Sequence, residues 1–197
     1  MAKTINSNKG KSIAVDPIRN VKDIKSISKL LSDKPRDLLL FTLGINNGLR
    51  AVDLVKLKVK QVEKLKVGES LSIIETKTGK KNVLVINKPV YKVLQRYLKE
   101  LKPDSDDYLF KSRKKGKAIN TQTVSTMVKS WTKSINLDGN YGAHTLRKTW
   151  GYQQRTAFGV GFEIICKRYN HSSPAITMRY LGIEDKEVTN VLMNEIG

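Results

Sequence analysis

Four short segments of this 197-residue chain gather residue types that could work together on a phosphodiester. They are Gly48-Leu49-Arg50-Ala51-Val52-Asp53-Leu54, Thr76-Lys77-Thr78-Gly79-Lys80, His144-Thr145-Leu146-Arg147, and His171-Ser172-Ser173 with Tyr180 in Met178-Arg179-Tyr180-Leu181-Gly182. An arginine is always charged, and its planar fork grips two oxygens at once. Two arginines from separate segments, Arg50 and Arg147, can therefore clamp one phosphate. Such preorganised positive charge stabilises the extra charge of a pentavalent phosphorus without a metal. No paired carboxylates suited to two Mg²⁺ ions are apparent, and no Walker-type phosphate loop is present. A phenol titrates near ~10, so a tyrosine attacks phosphorus at neutral pH only if cations and hydrogen bonds stabilise its phenolate. Taken singly, each segment is weak: His144 and Arg147 are three apart, which says only that they share a helix face.

The elements that must position these residues follow from capping signals and apolar spacing. Residues 1–16 are polar and basic without sustained periodicity and are expected to be a flexible tail. Asn20 can cap a helix whose Val21, Ile24, Ile27, Leu30 and Leu31 share one face. Pro35 suits the first turn of a second helix, Asn47-Gly48 stops it, and Ala51–Leu57 reads as a short helix. The β-branched runs Ser70–Thr76 and Asn82–Asn87 flank a basic tip, Lys77–Lys81, and predict a β-hairpin. Pro89 opens a helix with Val90, Val93, Leu94, Tyr97, Leu98 and Leu101 on its apolar side. Beyond it come a turn at Lys102–Asp107, an apolar anchor at Tyr108–Phe110 and a basic loop at Lys111–Lys117. A further amphipathic helix carries Val124, Met127, Val128, Trp131 and Ile135, and the last third is helical with breaks at Gly159–Gly161, His171–Pro174 and Gly182. The expected architecture is mainly α with a small antiparallel β-sheet, an α+β fold.

In this order and on these elements, the four segments resemble the catalytic domain of the tyrosine recombinases, or phage integrases, from about Asp16 to the carboxyl terminus. The resemblance implies that fold and a site made of Arg50, Lys77, His144, Arg147, His171 and Tyr180, with Asp53 orienting it. Tyr180 would be the nucleophile, stabilised by His171, Arg147 and Arg50, and Lys77 would give a proton to the departing 5′-oxygen. The product is a 3′-phosphotyrosine link that retains the bond energy, so rejoining needs neither ATP nor a cofactor. One departure is Asn170, where the family often has Gly; Asn is the residue best able to replace Gly at positive φ. The family also implies assembly on DNA into a homo-oligomer, a tetrameric synapse, through exchange of a carboxyl-terminal helix, here Glu184–Ile196 with Val188, Val191, Leu192 and Ile196 on one stripe.

Blander roles compete at each position. Arg50 and Asp53 could form an ordinary surface ion pair, Lys77 could serve solubility alone, His144 could be a core histidine, and His171 could pack a loop. Tyr180 competes with six tyrosines. Of these, Tyr91, Tyr97, Tyr152 and Tyr169 lie in helical patterns, Tyr108 in the apolar anchor and Tyr141 in a Gly/Asn-rich loop. Cys166 reads as a small buried hydrophobe.

Charge points to the partner. Lys and Arg total 37 against 18 Asp and Glu, a net charge of +19. Nucleic acid is the first polyanion to expect and an anionic membrane surface the second. Lys80, Lys81, Lys111, Arg113, Lys114, Lys115 and Lys117 are expected to contact the phosphates of double-stranded DNA. No apolar stretch reaches the ~20 residues a membrane span needs, and the amino terminus lacks the apolar core of a signal peptide. One Cys and two His cannot build a structural zinc site, and the lone Cys166 fits a reducing cytosol. A type IB topoisomerase-like nicking-closing enzyme shares the chemistry, and an idle DNA-binding protein shares the scaffold. The short chain is either an excised catalytic domain or a minimal enzyme, and the Met1 start favours the latter.

Overall fold

The computed structural model describes residues 14–112, 116–183 and 193–195. Its elements run α1 (Val21–Leu30), α2 (Pro35–Asn47), α3 (Ala51–Leu54), a 3-10 turn at Val59–Gln61, β1 (Ser70–Ile74), β2 (Lys81–Val85), α4 (Lys88–Leu101), α5 (Thr121–Ser134), α6 (Ala143–Thr156), α7 (Phe162–Tyr169) and α8 (Pro174–Leu181). The expected class, mainly helical with one two-stranded antiparallel sheet, is the observed one. The tail residues 1–13, the loop residues Arg113, Lys114 and Lys115, and nearly all of the expected helix Glu184–Ile196 lie outside the described residues.

Side-chain caps start four of the helices, α8 among them through Ser173, whose hydroxyl accepts from the Ile176 amide. The oxygens of Asn20, Asn87 and Asn120 accept from amides in the first turns of α1, α4 and α5. α2 begins on Pro35, where the missing amide hydrogen leaves nothing unsatisfied. It is buried along Leu38–Gly44 and serves as the central post, packed against α4 on one side and α6 on the other. A methyl on Gly44 would stand 2.8 Å from the Leu146 side chain, so α2 and α6 cross closely there. That crossing brings the end of α2, with Arg50 just beyond it, beside the first turns of α6. A smaller apolar cluster of Ile165, Tyr169, Leu181 and Ile183 ties α7 and α8 to Trp150 of α6.

Several expected boundaries shift for physical reasons. Residues 14–16, assigned to the tail from sequence, are fixed: Asp16 N donates to Asn140 O, and Asn140 Nδ2 donates to Ala14 O. β1 stops at Ile74 because Glu75 turns into a buried ion pair and the Thr76 amide is taken by Asp53. α3 ends at Leu54, sooner than the expected Leu57. The 3-10 turn at Val59–Gln61 had no periodic signal; the Gln61 side chain accepts from the Lys58 amide.

Candidate active site

The end of α2 builds the first wall. Gly48 caps the helix at φ +60°, and a methyl there would lie 2.6 Å from the Trp150 ring, so glycine meets both the conformational and the steric demand. Its carbonyl accepts from Arg147 Nη1 at 2.8 Å. Arg147 Nη2 donates to Tyr169 O at 2.8 Å, and the guanidinium lies 4.3 Å over the Tyr169 ring. Arg147 is 2% exposed and thus fixed by two carbonyls from two other segments. Gly151 makes room for this: any side chain there would collide with the Tyr169 hydroxyl, which donates to Arg147 O.

Arg50 follows Gly48 by two residues and pairs with Glu75 Oε2 at 2.6 Å. The ordinary Arg50–Asp53 pair weighed from the sequence does not form. Asp53 instead accepts the Thr76 amide at 2.8 Å and so pins the hairpin turn to α3. Lys77 is next along that turn and exposed, as are Lys80 and Lys81. Lys111 is exposed but ion-paired with Asp107 at 2.7 Å, and Lys117 is exposed.

α8 brings Tyr180, and the turn that leads into it from α7 brings His171. His171 and Tyr180 meet edge to face with ring centres 5.2 Å apart, and both rings pack on Tyr169. His171 Nδ1 lies 3.0 Å from the buried Thr177 hydroxyl, which holds the ring. Asn170 has φ 54°, the left-handed conformation expected of a Gly substitute, and ends α7 there. The Tyr180 hydroxyl is buried and makes no hydrogen bond; Lys148 stands 4.9 Å over its ring. Arg50, Arg147, His171 and Tyr180 therefore converge, and the charges of both arginines also reach His144 in the first turn of α6. Lys77 reaches the group only through its charge, which acts on His144.

Burial decides the electrostatics. It pushes the Tyr180 phenol above its ordinary value, although Arg147 and Arg50 pull the other way. In the free protein desolvation outweighs both cations. Burial, with the charges of Arg147 and Arg50, lowers His171 to about 4, so it is neutral at pH 7 and adds no positive charge. His144 keeps much of its surface open, yet desolvation and four cations, Arg147, Arg50, Lys77 and Lys148, all depress it. Burial pushes Glu75 up, but hydrogen bonds from Thr78, Arg50 and Asn82 and the Arg50 charge bring it down to about 2. Among the described residues, no three His, Cys, Asp or Glu side chains are placed to hold a metal ion.

Three neighbours escaped the sequence reading. Glu75 could have been found by parity, since it shares the inward face of β1 with Leu71 and Ile73. Lys148 lies four residues after His144, on the same helix face. Arg168, which donates to Asn47 O, Asn82 Oδ1 and Val83 O, gave no signal, because two of its three partners are backbone carbonyls.

The sequence model of the phage integrase family matches residues 18–187. The chain belongs to that family. This integrase-family chain is 37% identical over 174 residues to the probable integrase/recombinase YoeC of Bacillus subtilis, covering 87% of itself and 91% of YoeC. Its fold matches the crystal structure of XerA recombinase with a TM-score of 0.73 at 21% identity, over 92% of this chain and 67% of the other. It matches XerH recombinase, bound to a palindromic difH substrate in a post-cleavage complex, with the same TM-score at 20% identity. That match covers 92% of this chain and 53% of XerH. These matches give the chain the fold of the tyrosine recombinase catalytic domains. No helix among the described residues is long and apolar enough to cross a membrane.

Proposed function

We propose that this chain is a site-specific recombinase that cuts and rejoins duplex DNA through a 3′-phosphotyrosine intermediate, without metal or ATP. The observation that carries the reading is the buried, unbonded Tyr180 hydroxyl set among Arg147, Arg50, His171 and Lys148. A buried hydroxyl left without a partner costs stability, and a reacting phosphate is the group whose arrival would remove that cost.

Arg50 and Arg147 hold the two non-bridging oxygens of the scissile phosphate, and their charge draws the phenol towards ionisation. Tyr180 Oη attacks phosphorus, and its proton passes to a neutral imidazole, the role given to His171, whose ring packs against that of Tyr180. The bond to the 5′-oxygen breaks, and Lys77 gives that oxygen a proton. The products are a 3′-phosphotyrosine link and a free 5′-hydroxyl. Attack by the 5′-hydroxyl of another strand reverses each step and releases Tyr180. The +19 charge, with Lys80, Lys81 and Lys117 open, suits duplex DNA as the polyanion. DNA also offsets the self-repulsion that keeps such a chain monomeric, so assembly into a tetrameric synapse follows DNA binding. Incubation with two copies of a target duplex tests the reading: strand exchange between them is expected. Relaxation of supercoils without exchange would indicate a nicking-closing enzyme, and binding without any covalent adduct an idle binder.

A further inference from the structure

Glu75, like Asp53, is a carboxylate buried beside a site built for an anion, and general electrostatics argues against a negative charge there. A negative charge beside a phosphate weakens binding unless it does something else. Its bonds say what. Glu75 Oε2 takes Arg50 Nη1 at 2.6 Å and the Thr78 hydroxyl at 2.6 Å, while Oε1 takes Asn82 Nδ2 at 2.7 Å. Its own backbone closes the hairpin turn: Glu75 N donates to Lys80 O at 3.0 Å, and Gly79 N donates to Glu75 O at 2.9 Å. Lys77 is thereby anchored on both flanks, through Thr76 on Asp53 and through Thr78 on Glu75. Asn82 extends the network to Arg168, which is bonded to Asn47 O at the end of the helix that leads into Arg50. An arginine has five N–H donors, so the contact with Glu75 leaves most of the Arg50 fork for phosphate.

We propose that Glu75 is a positioning residue that couples the aim of Arg50 to the placement of the Lys77 turn. This rests on the reading of Arg50 as a phosphate clamp and Lys77 as a proton donor. The carboxylate itself touches no reacting atom. Its fixed charge holds Arg50, and its hydrogen bonds hold the turn, so neither moves without the other. A proton donor contributes roughly 10²–10⁴-fold to a rate, and misplacement by an ångström forfeits about 10²-fold.

Two measurements test this, the first without DNA. Amide hydrogen exchange is followed at Glu75 and Gly79 in the parent, in Glu75→Gln and in Arg50→Met. Loss of the ion pair should speed exchange at both amides by about tenfold or more; a parental rate in folded Arg50→Met overturns the coupling. The second uses a nicked duplex recovered by covalent capture from a randomised pool, made with either oxygen or sulfur at the 5′-bridging position. Sulfur leaves without a proton, so the ratio of the sulfur to the oxygen rate reports where the lysine is. A merely structural role lowers both rates alike and leaves the ratio unchanged. Thr78→Val, at an exposed position, cuts the hairpin link and spares the ion pair. It should raise the ratio by about tenfold with the sulfur rate held within about twofold, and Glu75→Gln should raise the ratio while lowering both rates. A parental ratio in Thr78→Val overturns the proposal. A parent that forms no adduct with either substrate overturns the recombinase reading and the Lys77 half of the proposal with it. The exchange result separates that failure from the failure of the coupling.

Discussion

Replacing Arg147 by alanine should destabilise the fold as well as stop catalysis, and the two effects can be separated. The guanidinium donates to Gly48 O and Tyr169 O, each at 2.8 Å, and covers the Tyr169 ring at 4.3 Å with 2% exposure. A hydrogen bond from a charged donor is worth about 1.5–3 kcal/mol, and each carbonyl left buried adds part of its desolvation cost. Together these give a loss of about 3–5 kcal/mol for Arg147→Ala. For a domain of this size that lowers the melting temperature by roughly 10 °C. Tyr180→Phe is the matched control, because its hydroxyl makes no hydrogen bond and its removal leaves no partner unsatisfied. It should match the parent or gain up to about 1 kcal/mol. Urea unfolding at pH 7, followed by circular dichroism on all three proteins, supplies the numbers. A loss below about 1 kcal/mol in Arg147→Ala would refute the assignment of Arg147 as the bridge between α2 and α7.

Other outcomes follow from the same geometry. Glu75 is lowered from 4.5 to about 2 on folding, so it stabilises the protein above pH 4.5 and loses that contribution as pH falls towards 2. The amount is on the order of 3 kcal/mol, and Glu75→Gln should flatten the acid limb of a stability-against-pH curve measured by chemical denaturation. His171 is also lowered, to about 4, so folding opposes its protonation and stability should fall as pH drops from about 6.5 towards 4, a slope that His171→Phe should reduce. Gly48→Ala forces a methyl against Trp150 at positive φ and should cost about 2–4 kcal/mol in the same denaturation assay. Affinity for non-specific duplex, measured by fluorescence anisotropy, should fall with salt at a log–log slope near −5 if about six phosphates are contacted.

The sequence carried the scaffold because its signals are local. Asn20, Pro35, Pro89 and Gly48 mark helix ends by their own side chains or backbone geometry, and Asn170 marked a left-handed residue by type alone. The proposed site residues come from the sequence as a set, because their order along the chain follows a family pattern. Their partners do not. Arg147 is held by the carbonyls of Gly48 and Tyr169, and Arg168 by that of Asn47, and any residue offers a carbonyl. The partner of Arg50 is Glu75, twenty-five positions away rather than three, because α3 turns Asp53 towards the Thr76 amide. The state of Tyr180 was equally hidden: residue types promise a phenolate held by cations, whereas burial raises the phenol and leaves His171 neutral.

In the proposed mechanism the Tyr180 oxygen forms the covalent link to DNA. The most direct test is to trap the protein on a nicked duplex from which the short cleaved strand diffuses away, digest the complex with trypsin and nuclease, and read the modified peptide by mass spectrometry. A nucleotide is expected on the peptide containing Tyr180, attached through a 3′-phosphate, with no adduct from Tyr180→Phe. A nucleotide on any other peptide, or an adduct that persists in Tyr180→Phe, would contradict this mechanism.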